Sequence, residues 1–191
     1  MEFLYKNWAK LSLLIALAVV ICLRNISSIP LFWIWIQFPI YLVHEFEEHV
    51  WPGKFKNFVN QQLFHSSVKD VPLNDAAVFW INILVIWILF PLAAIFAQTV
   101  DPTIGGFLPI FSLVNATTHI GAFLAKRSYN PGLAASLILN YPLGIYALIV
   151  LARNGDLSYL TASLFLVLSL LIHFVIMIYA VRVYQNSGPK K

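Results

Sequence analysis

Long apolar runs separated by short polar segments dominate this chain, and six of the runs are long enough to cross a membrane. Each holds about 20 residues or slightly more, the length that an α-helix needs to span the hydrocarbon core of a bilayer. Transmembrane strands are shorter and alternate between apolar and polar residues, which these runs do not do. We therefore predict an all-α, polytopic membrane protein with six transmembrane helices, spans 1 to 6, at about residues 9–28, 30–51, 76–98, 104–126, 132–152 and 157–183.

The longest connection, residues 52–75, has an apolar pattern of its own. Lysine, asparagine and glutamine separate apolar residues that recur at helical spacing, namely Phe55, Phe58, Val59 and Leu63. This pattern predicts an amphipathic helix over residues 54–65, lying in the membrane interface between spans 2 and 3.

Local signals place the ends of the neighbouring spans. Pro52 and Gly53 follow the second run and are expected to end span 2. Asn74 or Asp75 precedes the third run and is expected to cap the amino terminus of span 3. No repeat or linker interrupts the pattern, so residues 1–191 are predicted to form a single helical-bundle domain.

Composition supports membrane insertion. The 191 residues are 60% hydrophobic and 10% charged, with a mean hydropathy of +0.80, whereas soluble domains carry about 25% charged residues. An integral membrane protein is therefore expected, with the lipid bilayer as its surroundings. The single cysteine, Cys22, excludes an internal disulfide.

The basic residues predict the orientation of the spans. Ten of the 12 lysines and arginines fall on one side of the predicted bundle, and only Arg24 and Arg153 fall on the other. Positive charge marks cytoplasmic loops, so both termini are predicted to be cytoplasmic, in a bacterial-type plasma membrane. The same bias explains the basic pI without a nucleic-acid partner. The ten are Lys6, Lys10, Lys54, Lys56, Lys69, Lys126, Arg127, Arg182, Lys190 and Lys191.

A cluster of ionisable residues interrupts the end of the second run. Within six residues the chain places His44, Glu45, Glu47, Glu48 and His49 in the predicted cytoplasmic third of span 2. Charged residues inside a membrane are costly and are usually functional. The other spans carry polar residues at a similar predicted depth, namely Asn82, Asn115, His119 and His173.

Helical geometry suggests which of these residues share a face. At about 100° per residue, His44, Glu47 and Glu48 lie on one face of span 2, and Asn115 and His119 lie on one face of span 4. Imidazole and carboxylate together suit zinc, iron or manganese.

We predict that His44, Glu48 and His119 bind one divalent metal, with zinc preferred and iron or manganese as alternatives. Glu47 is predicted to be the catalytic general base or a further ligand. Additional ligands, or partners of the ligands, are expected among Asn115, His49, His173, Glu45 and Asn82. Other interpretations remain open: a solvated helix end for Glu47, Glu48 and His49, a packed histidine at position 173, and helix–helix hydrogen bonding for Asn82.

The string His44-Glu45-Phe46-Glu47-Glu48 resembles the defining motif of the HXXEE family of small integral membrane proteins. The resemblance extends to the segment "NATTHIGAFLAKRSYNPGLAAS", which contains Asn115, His119 and an Asn-Pro-Gly turn at residues 130–132. It would cover most of the chain. It implies a site at His44, Glu47, Glu48, Asn115 and His119 and implies no particular activity.

Two functions of different classes follow. The first is a metal-dependent intramembrane enzyme, a hydrolase acting on a lipid-like or small amphipathic substrate at the cytoplasmic leaflet, with the metal activating water. The alternative is a transporter or ion-coupled carrier that uses the cluster as an ion site, although the predicted outer half offers no polar path. A non-catalytic scaffold would explain the spans but not the shared depth. The oligomeric state stays open.

Overall fold

The computed structural model describes residues 1–187, and it is built from helices, with no strand in that range. Six of these helices are long and apolar enough to cross a membrane, which confirms the predicted fold class. Their bounds are Glu2–Leu23 for span 1, Ile29–His49 for span 2, Asp75–Thr99 for span 3, Pro102–Lys126 for span 4, Leu133–Asn154 for span 5 and Tyr159–Ser187 for span 6.

The largest differences from the predicted bounds are at the ends of spans 1 and 6. Span 1 begins at Glu2, and a salt bridge of 2.6 Å from Lys6 to Glu2 joins residues one turn apart at this start. It ends at Leu23, and Ser28 then caps span 2 by accepting a hydrogen bond from the backbone N–H of Leu31. Span 6 continues past Arg182 to Ser187, while Lys190 and Lys191 lie outside the described residues.

The turn signals between spans 2 and 3 act as predicted. Span 2 ends at His49, just before Pro52 and Gly53, and Gly53 has a φ of +69° that glycine adopts without strain. The side chain of Asn74 accepts a hydrogen bond of 2.8 Å from the backbone N–H of Ala77 and caps span 3.

The helix in the loop after span 2 covers residues 55–63, slightly less than the predicted 54–65, and we call it the loop helix. Phe58 and Val59 are buried in an apolar cluster with Trp8 and Phe79, whereas Leu63 is exposed. Asn60 is also buried, and its side-chain amide is satisfied there because it bonds both the backbone N–H and the backbone C=O of Leu73, just before span 3. The loop helix is thus fixed to the bundle.

Span 2 lies at the centre of the bundle. It is the most buried of the six spans, and it packs against spans 1, 3, 4 and 5. Its apolar residues Ile34 and Leu42 are completely buried in a core with Phe90 of span 3 and Leu108 of span 4. The ionisable residues at its end are therefore surrounded by protein, and they must find their partners there.

Candidate metal centre

The cluster consists of two residues from span 2 and one from span 4. One ligand atom each from His44, Glu48 and His119 lies within 4.8 Å of the other two. The Oε1 atom of Glu48 is 3.2 Å from Nε2 of His119 and 3.6 Å from Nε2 of His44. All three residues are at most 5% exposed. His44 and Glu48 are one helical turn apart, so span 2 presents both on the same face.

The distances from Oε1 of Glu48 to the two imidazole nitrogens suit a tetrahedral metal. Metal–ligand bonds of about 2.0–2.1 Å at tetrahedral angles separate the ligand atoms by about 3.3–3.4 Å. The two measured separations lie on either side of that value. Two imidazoles with one carboxylate also match the ligand types of catalytic zinc and iron sites. That these three residues bind a metal stays a prediction.

The tautomer of His119 is fixed by Asn130. The Nδ2 group of Asn130 donates to the backbone carbonyl of His119 at 2.9 Å, so its Oδ1 atom is the one that faces Nδ1 of His119, at 2.8 Å. An amide oxygen only accepts, and Nδ1 must therefore carry the proton. In the neutral ring Nε2 is then a bare lone pair, and it points at the carboxylate of Glu48. A cation between these two acceptors would relieve their repulsion.

A glycine in the turn between spans 4 and 5 packs directly on the imidazoles. Gly132 has a φ of +96°. A Cβ atom at this position would lie 2.6 Å from Cε1 of His119 and 2.8 Å from Cε1 of His44. The backbone conformation and the close approach both require glycine here.

Glu47 does not have the environment expected of a general base. Its Oε1 atom accepts hydrogen bonds from the hydroxyl of Tyr129, at 2.6 Å, and from the backbone N–H of Ala134, at 3.0 Å. Its Oε2 atom accepts from the N–H of Ala135 at 2.6 Å. Those N–H groups begin span 5, where a helix dipole favours negative charge. Three donors hold the carboxylate at this helix start, so Glu47 anchors span 5, and its role as a general base or ligand stays a prediction.

Tyr129 supports this arrangement from the loop. Partial burial, together with the hydrogen bond to the Glu47 carboxylate, raises the pKa of the Tyr129 hydroxyl above its ordinary value. The hydroxyl therefore remains a proton donor to Glu47 across the physiological pH range.

Four further predicted residues contact the cluster in two groups, Asn115 with His173 and His49 with Asn82. Asn115 lies between two imidazoles, with Nδ2 at 3.0 Å from His44 Nε2 and Oδ1 at 3.4 Å from His173 Nε2. In the second group, Nε2 of His49 is 3.5 Å from Oε2 of Glu48 and 3.3 Å from Nδ2 of Asn82.

Glu45 faces away from the cluster. It is completely buried, and its Oε2 atom accepts a hydrogen bond of 2.7 Å from the indole N–H of Trp87 on span 3. Its Oε1 atom bonds no group within residues 1–187. The predicted role of Glu45 as a ligand or ligand partner therefore finds no support in this geometry.

Two cavities border the cluster. The first, of about 120 Å³, is lined by Glu48, Asn82, Asn115 and His173 among mainly apolar residues of spans 2, 3, 4 and 6 and of the loop between spans 2 and 3. The second, of about 200 Å³, lies beneath the loop helix and is lined by His119 and His173 among mainly apolar residues. A small, mostly apolar molecule thus has space on both sides of the cluster.

Residues 129–132 were not among the predicted site residues, yet they position three of them. Tyr129 bonds Glu47, Asn130 orients His119, and Gly132 packs on two imidazoles. The Asn-Pro-Gly sequence, which indicates a tight turn, was the available signal, although it does not say what the turn contacts.

Comparison with known proteins agrees with these positions. No curated protein and no solved structure matches the chain. A family model described as "Protein of unknown function with HXXEE motif" matches residues 35–147, which is more than half of the chain and includes the motif, His119 and the turn. The histidine and two glutamates that define the motif have separate places in the fold: His44 and Glu48 face His119, and Glu47 holds span 5. The chain belongs to the HXXEE family.

Proposed function

We propose that the protein is a metal-dependent intramembrane enzyme in which His44, Glu48 and His119 bind one divalent cation, preferably zinc, with iron or manganese as alternatives. The observation that carries this proposal is the position of His119, whose Nε2 atom lies 3.2 Å from the Glu48 carboxylate while Asn130 binds Nδ1. Histidines that ligate metals usually donate their other N–H in this way. If Nε2 of His119 carried a proton and no metal were bound, its contact with Glu48 would be an ion pair.

Hydrolysis is the reaction that this site supports best. A divalent cation lowers the pKa of bound water and polarises an ester or phosphoryl oxygen. The residues on the first cavity would orient the substrate and exclude bulk water, because most of that cavity is apolar. We propose a lipid-like or small amphipathic substrate, approached from the cytoplasmic leaflet, with both termini in the cytoplasm of a bacterial-type cell.

With Glu47 engaged elsewhere, we propose His173 as the group that accepts a proton from water. Its Nδ1 atom lies 2.7 Å from the backbone carbonyl of Ser169, and because a carbonyl only accepts, Nδ1 carries the proton. The Nε2 atom of the neutral ring then carries the lone pair of a base, and it would have to leave its 3.4 Å contact with Oδ1 of Asn115 to take a proton from water. His173 lines both cavities, so this base lies beside the space available to a substrate.

The metal is tested by elemental analysis of detergent-purified protein. Wild type should contain about one zinc, iron or manganese ion per chain, and His44→Ala, Glu48→Ala and His119→Ala should each contain none. His65→Asn is the matched control, because it removes an exposed loop histidine at a positive φ that asparagine tolerates. Metal-free wild type, or variants that keep their metal, would refute the centre.

The reaction is tested with the same protein in vesicles of radiolabelled phospholipid. Wild type should release a labelled product, a chelator should stop the release, and added zinc should restore it. His173→Gln should keep its metal and lose about 10²- to 10⁴-fold in turnover, the usual contribution of general base catalysis. Unchanged turnover in His173→Gln would exclude that residue as the base.

A further inference from the structure

A groove on the membrane-facing surface separates spans 3 and 6. It has a volume of about 490 Å³. Trp80 of span 3 and Val175 of span 6 are 45% and 63% exposed along it. Apart from Asn74 and Tyr179, its lining is apolar, with two small side chains in the wall of span 3; the full set is Asn74, Ala76, Ala77, Trp80, Ile81, Val175, Ile176 and Tyr179.

The groove and the first cavity share two residues. Ile81 and Ile176 line both spaces, and the cavity behind them is also lined by Glu48, Asn115 and His173. Two half-buried isoleucines are therefore the side chains between the lipid-facing groove and the ionisable cluster.

The arrangement of the spans explains why this side is open. Span 6 is the least buried of the six and packs chiefly along span 4. Its contact with the residue that follows the loop helix, through Tyr184 and Phe64 with ring centroids 5.5 Å apart, lies beyond the groove. Isoleucine side chains can change rotamer to widen a gap without breaking a hydrogen bond.

We propose that this groove is a lateral access route: the polar end of a membrane lipid passes between Ile81 and Ile176 to reach Glu48 and His173, and the acyl chain behind it lies between the two isoleucines and along the groove. The proposal rests on the function proposed above and narrows its substrate to molecules with a long apolar chain. The lining matches such a chain, because it offers apolar surface from the lipid face inward. A water-soluble substrate would gain little from this lining.

Photolabelling in vesicles tests the route without turnover and without metal. The probe is a phosphatidylcholine with a diazirine near the ester end of one acyl chain, and labelled residues are located by mass spectrometry. Ile86 and Phe111 line the cavity and are each 2% exposed, so bulk lipid cannot reach them directly. They should be labelled, whereas Leu108 and Leu151, completely buried away from the cavity, should not.

Two tryptophan variants show whether the label arrives through the groove. Ile176→Trp should reduce labelling of Ile86 and Phe111 by about tenfold, as a loss of about 1.4 kcal/mol in affinity would. Leu170→Trp, at a 51% exposed position of the same span, should leave it unchanged. No label at Ile86 and Phe111, or equal label in both variants, would overturn the route. Labelled cavity residues in a protein that binds no metal would refute the enzyme and leave the route intact.

Discussion

Replacing Gly132 by alanine should disable the centre without touching a ligand. Gly132 has a φ of +96°, where an L-residue costs about 1–2 kcal/mol. The new Cβ atom would also lie 2.6 Å and 2.8 Å from the Cε1 atoms of His119 and His44. Ordinary carbon contacts begin at about 3.5 Å, so each ring would have to withdraw by about 0.7–0.9 Å.

That displacement sets the size of the effect. Moving a reacting group by about 1 Å typically costs about 10²-fold in activity, which equals about 2.7 kcal/mol. We expect a loss of this order in both zinc affinity and turnover. The side chains of His44, Glu48 and His119 all remain, so a loss of zinc affinity or turnover would come from a change in their relative positions.

Gly155→Ala is the matched control. Gly155 has a φ of +84°, and a Cβ atom there would meet nothing within 4 Å. The two variants therefore share the backbone strain and differ in the clash. Thermal unfolding of both proteins measures the common strain, and zinc titration against a competing chelator measures the specific effect.

Equal zinc binding in the two variants would refute a link between the positions of the imidazoles and metal affinity. If Gly132→Ala binds zinc within about threefold of Gly155→Ala, a difference of about 0.6 kcal/mol, the positions of the imidazoles do not determine the affinity. A Gly132→Ala protein that is unfolded in detergent while Gly155→Ala is folded would still place the clash at the imidazoles, since the strain is common to both.

Three further outcomes are expected. Asn130→Ala should lower zinc affinity by about 10- to 100-fold, because it frees the ring of His119, and chelator titration measures this loss. Lys56 bonds Asp70 at 2.6 Å and Asp75 at 2.5 Å, which raises the pKa of Lys56, against the opposing effect of burial, and lowers that of Asp70. A carboxyl group whose pKa is lower in the folded protein stabilises the fold at pH values above its unfolded pKa, which is about 3.8 for Asp70. This stabilisation is lost as the pH falls through the pKa of the folded protein. The free energy of unfolding, measured from pH 5 downward, should fall by less than about 1 kcal/mol in the wild type, since the ion pair of Lys56 and Asp70 is partly exposed. This fall should be absent in Lys56→Met. Reporter fusions should place both termini in the cytoplasm, and termini on opposite sides would contradict the charge bias.

Much of the architecture follows from the sequence by itself. Membrane insertion depends on the summed hydropathy of a segment, a local and additive property, and six spans could therefore be recognised without tertiary information. The face shared by His44 and Glu48 follows from helical periodicity, which is equally local. Asn74 as the cap of span 3 was predictable because a cap bonds an N–H only three residues away.

Tertiary structure decided what each residue of the motif contacts. Glu47 and Glu48 are adjacent in sequence, yet one binds the start of span 5 and the other faces two histidines. Helical rotation of about 100° per residue separates their directions, but the neighbour in each direction depends on how the spans pack. Asn130 and Gly132 reach the imidazoles only because the turn before span 5 folds back against span 2. Such contacts join residues distant in the chain and have no period that a sequence could display.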